Sequence, residues 1–129
     1  MTTVQPDGWP RPRGYSNGII AQGRVLAVAG QIGWNERGEF VSDDLVDQAA
    51  QALRNVLAVV RAAGGTPSDV IRLTWYIVDK RAYLAAASQL GAIYRDLFGS
   101  HYPAMTLVQV AALLEDRAKV EIEATAVLS

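Results

Sequence analysis

The spacing of apolar side chains changes along the chain, and each change predicts a different element. In the middle third, apolar residues recur every three or four positions, at Leu45, Ala49, Leu53, Val56 and Val60. This spacing gives a helix one apolar face. The polar residues Asp43 and Asp44 supply N-cap candidates, and Gly64-Gly65 ends the pattern. We therefore predict an amphipathic helix that begins after Asp44 and ends before Gly64.

Alternating and β-branched runs on either side of this helix predict strands. Residues 70–78 form the strongest of them, with Leu73, Trp75 and Ile77 on one face and Thr74 and Tyr76 on the other. Further strands are expected near 105–113 and 118–128. A second helix, capped by Asp79, is expected to continue to Phe98, because residues 83–98 show helical spacing.

The first 40 residues are less regular. Prolines and glycines in residues 1–14 predict an irregular arm. Ile19-Ile20-Ala21 and residues 25–29, separated by a short Gly turn, predict a β-hairpin, and Phe40-Val41 predicts a further short strand. The expected order is β-β-(β)-α-β-α-β-β. It implies one domain over residues 1–129, of the α+β class, with two helices on one face of a mixed sheet.

The composition of the chain argues against several classes of function. The net charge of −1 argues against nucleic-acid binding by phosphate neutralisation. The chain has no cysteine and a single histidine, His101, which excludes thiolate ligands and a multi-histidine metal site within one subunit. No apolar run approaches the length needed to span a membrane, and no secretory signal pattern is present. These observations predict a cytoplasmic protein.

Two carboxylates in the last strand are candidates for chemistry. Glu121 and Glu123 alternate with Val120, Ile122 and Ala124, so both point to the same sheet face. Such a pair is often only a solvated face. A carboxylate in a partly apolar interface would instead have a raised pKa suited to proton transfer.

Several short motifs, in this order, resemble the RidA/YjgF family of small enamine/imine deaminases, also called the endoribonuclease L-PSP family. They are Tyr15-Ser16-Asn17, Gly30-Gln31-Ile32, Leu53-Arg54-Asn55-Val56, Val70-Ile71-Arg72-Leu73-Thr74, Tyr102-Pro103-Ala104 and Glu121-Ile122-Glu123-Ala124. The resemblance covers nearly the whole chain. It implies a chorismate-mutase-like fold and a homotrimer with a small-molecule cleft between each pair of subunits.

The resemblance also assigns roles to residues of that cleft. Glu121 orders the attacking water and handles protons near the substrate nitrogen. Tyr15 closes one side of the pocket, and Ala29 and Gly30 line another part of it. Backbone groups near Met105, Thr106 and Leu107 help to order the water. No metal or organic cofactor is implied.

Four positions depart from the family pattern. Met105 replaces an Arg that grips a substrate carboxylate in the family, which implies membership of an Arg-lacking subgroup. Ala29 replaces a Ser, Gly91 lies where many relatives have an Asn, and Leu107 lies where many have a Cys. A neutral thioether cannot reproduce the bidentate bonds of a guanidinium. Met105 and Trp34 together favour a less charged, more apolar substrate.

Two functional readings remain open from the sequence. In the first, the protein is a hydrolytic deaminase of the enamine/imine class with changed substrate specificity. In the second, it is a non-catalytic trimer that binds a small metabolite or a protein partner. The same ambiguity holds for single residues, because Tyr15, Trp34 and Met105 suit a pocket wall and also suit simple core or interface packing.

Overall fold

Six strands and three α-helices form the protein in a computed structural model that describes all 129 residues. The elements are β1 (Thr2–Val4), β2 (Gly18–Ile20), β3 (Arg24–Gln31), α1 (Leu45–Ala62), β4 (Val70–Ile77), α2 (Lys80–Ala85), α3 (Ala87–Phe98), β5 (Ala104–Gln109) and β6 (Val120–Leu128). A short 3-10 helix, Pro67–Asp69, precedes β4. None of the helices is long and apolar enough to cross a membrane.

The main sheet has the strand order β3-β6-β4-β5. β6 runs antiparallel to both of its neighbours, while β4 and β5 are parallel. Parallel strands need a crossover connection, and α2 and α3 supply it. Helices α1 and α3 contribute buried residues to a single core on one face of this sheet. The predicted α+β class, with helices on one face of a mixed sheet, is therefore confirmed.

Helix α1 follows the predicted pattern closely. The side chain of Asp44 caps it by accepting a hydrogen bond from the backbone N–H of Asp47 at 3.0 Å. The predicted apolar face is buried along its whole length, from Leu45 to Val60. After Ala63, Gly64 adopts a positive φ of 90°, which ends the helix at little steric cost.

The second helix is broken, where the sequence predicted one continuous element. Asp79 caps it as expected, accepting from the N–H groups of Arg81 and Ala82 at 3.0 and 3.1 Å. The chain then leaves helical geometry at Ala86, which separates α2 from α3. No Gly or Pro marks this break. It lets α3 bury Leu90, Tyr94 and Phe98, whereas α2 buries no residue.

The N-terminal pairing differs from the predicted hairpin. β2 pairs with β1, inside the segment expected to be irregular, and β3 pairs with β6. Gly23 lies so close to β6 that an added β-carbon would collide with the carbonyl oxygen of Leu128. The long ladder along β6 thus outcompetes the three-residue β2 as a partner for β3. Phe40 forms only an isolated bridge with Trp34 rather than a further strand.

A fully buried glutamine joins α1 to two loops. The side-chain amide of Gln48 donates to the carbonyl oxygens of Ser42 and Arg117 at 2.9 and 3.0 Å. Its oxygen accepts from the N–H of Lys119 at 2.8 Å. Gly33 permits the approach, because a β-carbon there would lie 2.7 Å from the Gln48 side chain. Gln48 therefore aligns the start of α1 with the entry to β6.

We predict that Gln48→Leu lowers the free energy of unfolding by roughly 2–4 kcal/mol, because three backbone groups in partly buried hydrogen bonds lose their partner. Urea unfolding followed by circular dichroism, at fixed protein concentration, measures this change. Gln89→Leu is the matched control, since Gln89 is an exposed glutamine of α3 whose side chain makes no hydrogen bond. Equal destabilisation by the two changes would contradict the role given to Gln48.

Candidate functional site

The sheet face away from the helices contains the two predicted carboxylates. Glu121 lies opposite Tyr76 and Glu123 lies opposite Thr74 in the β4–β6 ladder. Their sequence neighbours Val120 and Ile122 are fully buried on the helix side. The prediction that both glutamates share one face is confirmed, and that face is not covered by a helix.

The two carboxylates have different surroundings. The hydroxyl of Tyr76 donates a short hydrogen bond to Glu123. This bond is the main cause of the raised pKa of Tyr76, followed by partial burial and the negative charges of Glu123 and Glu121, while the positive charge of Arg72 opposes them. Glu121 accepts no hydrogen bond from within the protomer. It is therefore the carboxylate that is free to bind water or a ligand.

Glycine at position 30 brings the β3 backbone against Glu121. The β3–β6 register shifts between Val28 and Gln31, which turns Ala29 and Gly30 toward solvent at this point. A β-carbon on Gly30 would collide with the carboxylate oxygen of Glu121 and lie 2.8 Å from its carboxyl carbon. Three predicted site residues, Ala29, Gly30 and Glu121, are thus brought together.

Met105 belongs to a second group at the opposite edge of the sheet. It pairs with Leu73 in the parallel β4–β5 ladder, so its side chain points toward the helices. There it lines a cavity of about 240 Å³ together with Gly91 and a set of aromatic residues. These aromatic residues are Trp75, Tyr83, Tyr94 and Tyr102. Met105 and Gly91, which were selected separately from the sequence, therefore share one wall.

The walls of this cavity carry few charges. Burial raises the pKa of Tyr83 and of Tyr94, which keeps both phenols neutral. The hydroxyl of Tyr94 donates to the carbonyl oxygen of His101 at 2.6 Å. The indole N–H of Trp75 is buried without a hydrogen-bond partner. The only charged residues that line the cavity are Arg13 and Arg95.

Tyr15 lies on the other side of Met105. A shallower depression of about 170 Å³ is lined by Tyr15, Arg72, Met105 and Thr106. The N–H of Ser16 donates to the carbonyl oxygen of Pro103 at 3.0 Å, which holds the Tyr15 segment against the start of β5. Tyr15 itself is 39% exposed, so it forms an open wall rather than part of the core.

Within one protomer the predicted site residues form two separate groups. Ala29, Gly30 and Glu121 lie at the β3–β6 pair, whereas Tyr15, Gly91, Met105 and Thr106 lie around β5. Strand β4 lies between them. Leu107 pairs with Trp75 and packs against the core. Neither group alone contains all the residues that the sequence predicts for the cleft.

Trp34 does not line the Met105 cavity within one protomer. Its ring packs against Phe40 with centroids 5.9 Å apart, and its carbonyl accepts from Asn55 at 2.8 Å. His101, the single histidine, is partly buried, and its ring Nε2 is hydrogen-bonded to the carbonyl oxygen of Val70 at 2.6 Å. No group of three or more His, Asp and Glu side chains is arranged to hold a metal ion.

Sequence reasoning missed the arginines of the Met105 cavity. Arg95 lies four residues after Gly91 and so shares its helix face, which was a usable signal. No comparable sequence signal identifies Arg13, because residues in a loop follow no helical or strand periodicity. Trp75 was identified only as a core residue, and its unpaired N–H depends on tertiary packing.

The fold and these two groups can now be compared with known proteins. The family model described as endoribonuclease L-PSP matches residues 10–128. The chain belongs to this family. It is also known as the RidA/YjgF family, and the predicted fold is therefore confirmed.

Relatives within the RidA/YjgF family match along nearly their full length. The 2-iminobutanoate/2-iminopropanoate deaminase of Escherichia coli K12 is 36% identical over 129 residues, which cover 97% of this chain and 96% of the relative. The crystal structure of YyfB from Yersinia pestis, a Rid-family protein of unknown function, has a TM-score of 0.85 at 40% identity and 98% coverage of both chains. TdcF from E. coli, solved with bound serine, has a TM-score of 0.71 at 35% identity and full coverage of both.

The environment of Tyr76 leads to a pH prediction. We expect its pKa to lie above the ordinary value of 10.0 and to fall when Glu123 is changed to Gln, because the charged acceptor is removed. The stability that this raised pKa contributes is present below about pH 10 and is lost as the pH rises through the folded-state pKa. The difference in ultraviolet absorbance between the wild type and Tyr76→Phe, followed through an alkaline titration, isolates this group.

Glu115→Gln, in an exposed loop, serves as the control and should leave the titration of Tyr76 unchanged. An unchanged Tyr76 pKa in Glu123→Gln would show that the Tyr76–Glu123 hydrogen bond does not govern this group.

Proposed function

We propose that this protein is a hydrolytic deaminase of the enamine/imine class, acting at clefts between subunits of a homotrimer. The observation that carries this proposal is the partly exposed carboxylate of Glu121, which accepts no hydrogen bond from the protein and lies beside the Gly30 backbone on the open sheet face. Support comes from relatives that are named 2-iminobutanoate/2-iminopropanoate deaminase and are 32–36% identical to this chain. TdcF, solved with bound serine, adds an amino-acid ligand on the same fold.

The reaction requires one water molecule and one group that exchanges protons. In our proposal, the substrate reacts as the protonated imine, and Glu121 accepts a proton from water as the water oxygen attacks the iminium carbon. The resulting tetrahedral carbon bears a hydroxyl and an amino group. Glu121 then returns the proton to the nitrogen, and the carbon–nitrogen bond breaks as the hydroxyl proton passes back to Glu121. Ammonia leaves with a carbonyl product, and transfer of the last proton from Glu121 to ammonia, as ammonium, restores the carboxylate. A well-placed acid–base group of this kind contributes about 10²–10⁴-fold to a rate.

Met105 supports a substrate that differs from that of an Arg-containing relative. A guanidinium at this position would bind a carboxylate through two charge-assisted hydrogen bonds, which a thioether cannot form. Truncating such a pair costs on the order of 2–5 kcal/mol. The neighbouring cavity offers apolar and aromatic walls instead. We therefore propose that the protein belongs to an Arg-lacking subgroup and acts on a larger, more apolar substrate.

A trimer would bring the two groups of site residues together. Tyr15 and Met105 of one subunit would face Gly30 and Glu121 of the next. The open face also exposes apolar residues, since Val25 and Val108 are 72% and 41% exposed on the side away from the helices. Apolar side chains on an uncovered sheet face favour self-association.

Light scattering coupled to size-exclusion chromatography should give three times the chain mass of 13.9 kDa. Val108→Asp should shift the protein toward monomer, because it places a charge on the apolar open face. Leu114→Asp, at a loop residue that is 95% exposed, should remain trimeric. A monomeric wild type would contradict the intersubunit cleft.

Glu121→Gln should reduce the acceleration of imine hydrolysis at least about 100-fold, because Gln cannot exchange protons. The imines are generated in the assay, 2-iminobutanoate by a threonine dehydratase and the phenylalanine imine by an L-amino-acid oxidase, and residual imine is trapped with semicarbazide. Glu115→Gln controls for loss of a surface charge. Full activity in Glu121→Gln would show that Glu121 is not the proton-transfer group, whereas no acceleration of either imine by the wild type would favour the non-catalytic binding protein.

The position of Met105 leads to a separate expectation. The wild type should accelerate 2-iminobutanoate hydrolysis weakly, and Met105→Arg should improve kcat/KM about tenfold or more by restoring a charged hydrogen bond. Met105→Leu, which preserves the apolar volume, should not. Rates for the wild type equal to those of an Arg-containing relative would show that carboxylate binding does not depend on residue 105.

A further inference from the structure

Two exposed arginines line the cavity beside Met105, Arg13 and Arg95, and neither has a side-chain partner within the chain. The two salt bridges of the protein join Arg37 to Glu39 and Arg117 to Asp43, both outside the cavity. Neither Arg13 nor Arg95 donates a side-chain hydrogen bond, and no acidic residue lines the cavity. The cavity is therefore positively charged.

Glycine at position 91 brings one of these guanidinium groups over the helix. Gly91 and Arg95 are four residues apart in α3 and lie on the same helix face. A β-carbon added to Gly91 would lie 3.3 Å from Nη1 of Arg95. The guanidinium of Arg95 therefore lies where the side chain of any larger residue at position 91 would have to fit. Both residues line the wall of the cavity.

Trp75 adds an independent sign of a missing ligand. It is only 4% exposed, lines the same cavity, and carries an indole N–H that has no acceptor. Buried donors are nearly always satisfied, so we take this unpaired donor, on a residue that lines the cavity, as a position where a bound ligand would supply the acceptor. A carboxylate is an acceptor-only group and matches both this donor and the two guanidinium groups.

We propose that this cavity binds a carboxylate with an apolar or aromatic body, and that Arg95, assisted by Arg13, replaces the guanidinium that position 105 lacks. The inference rests on the proposed function, because it specifies the substrate class of the same cleft. The carboxylate is held from the helix side and the N-terminal arm rather than from β5. The apolar body then packs against Met105 and the aromatic walls. The cavity, at about 240 Å³, suits a metabolite smaller than a typical drug.

This proposal revises the expectation of a less charged substrate. A negative charge is still recognised, but from a different part of the fold. A short imino acid lacks the apolar body that would fill the cavity, whereas an aromatic carboxylate has one.

Isothermal titration calorimetry with phenylacetate, and with the neutral phenylacetamide as its matched ligand, tests this inference on the whole protein. We expect the wild type to bind phenylacetate about tenfold more tightly than phenylacetamide. Arg95→Gln should lose about tenfold in affinity for phenylacetate and bind the two ligands equally. Arg54→Gln, at an exposed arginine of α1 outside the cavity, should behave as the wild type.

A second variant locates the binding site. Gly91→Leu places a side chain in the cavity while retaining good helix propensity, so it should abolish binding of both ligands. Equal affinity of the wild type for phenylacetate and phenylacetamide would overturn the proposal. So would unchanged phenylacetate binding in either Arg95→Gln or Gly91→Leu, or no phenylacetate binding by the wild type.

These measurements separate the inference from the proposed deaminase activity. Phenylacetate is unreactive, so Glu121→Gln should bind it as the wild type does. Loss of turnover in Glu121→Gln with unchanged phenylacetate binding in Arg95→Gln would retain the deaminase and reject the role of Arg95. Arg95-dependent binding in a protein without deaminase activity would support the role of Arg95 and reject the proposed deaminase activity.

Discussion

The alternation of side chains along β6 connects the core of this protein with its candidate chemistry. Val120, Ile122 and Ala124 complete the core against α1, while Glu121 and Glu123 point to the open face. Because β6 pairs on both edges, a register shift of one residue would exchange these two sets. The apolar residues would reach solvent and two carboxylates would enter the core at a large desolvation cost. The stability of the core therefore also fixes the direction in which Glu121 points.

Two glycines then adapt the surroundings of this strand. Gly33 lets Gln48 reach the loop that leads into β6, and Gly30 lets the β3 backbone approach the carboxylate of Glu121. Both positions need the absence of a side chain rather than an unusual backbone conformation, since neither has a positive φ. The first contact stabilises the fold, while the second leaves a carboxylate exposed beside a backbone segment. Glu121 and Glu123 therefore differ in their availability, because only Glu123 accepts a hydrogen bond from the hydroxyl of Tyr76.

The two proposed roles, proton transfer and substrate recognition, lie on opposite sides of the sheet. The open face holds Glu121, for which we propose the proton transfers, and the cavity on the helix side holds the groups for which we propose substrate recognition. Recognition can then change without disturbing the acid–base group. Met105, Gly91 and Arg95 illustrate this separation, because they line the cavity and none of them belongs to β6. A homotrimer would be the step that joins the two functions.

The sequence by itself determined α1, β4, β6 and the common face of Glu121 and Glu123, because helical and strand periodicity are local properties. The family motifs extended this to the fold and the candidate site. The sequence did not determine the partner of β3, which depended on competition between β2 and the longer β6, or the break at Ala86, which follows from docking α3 on the core. Tertiary structure alone decided that Arg13, Arg95 and Trp75, whose indole N–H is unpaired, line one cavity with Met105. These residues come from an arm, a helix and a strand that are distant in sequence, and no periodic pattern records their proximity.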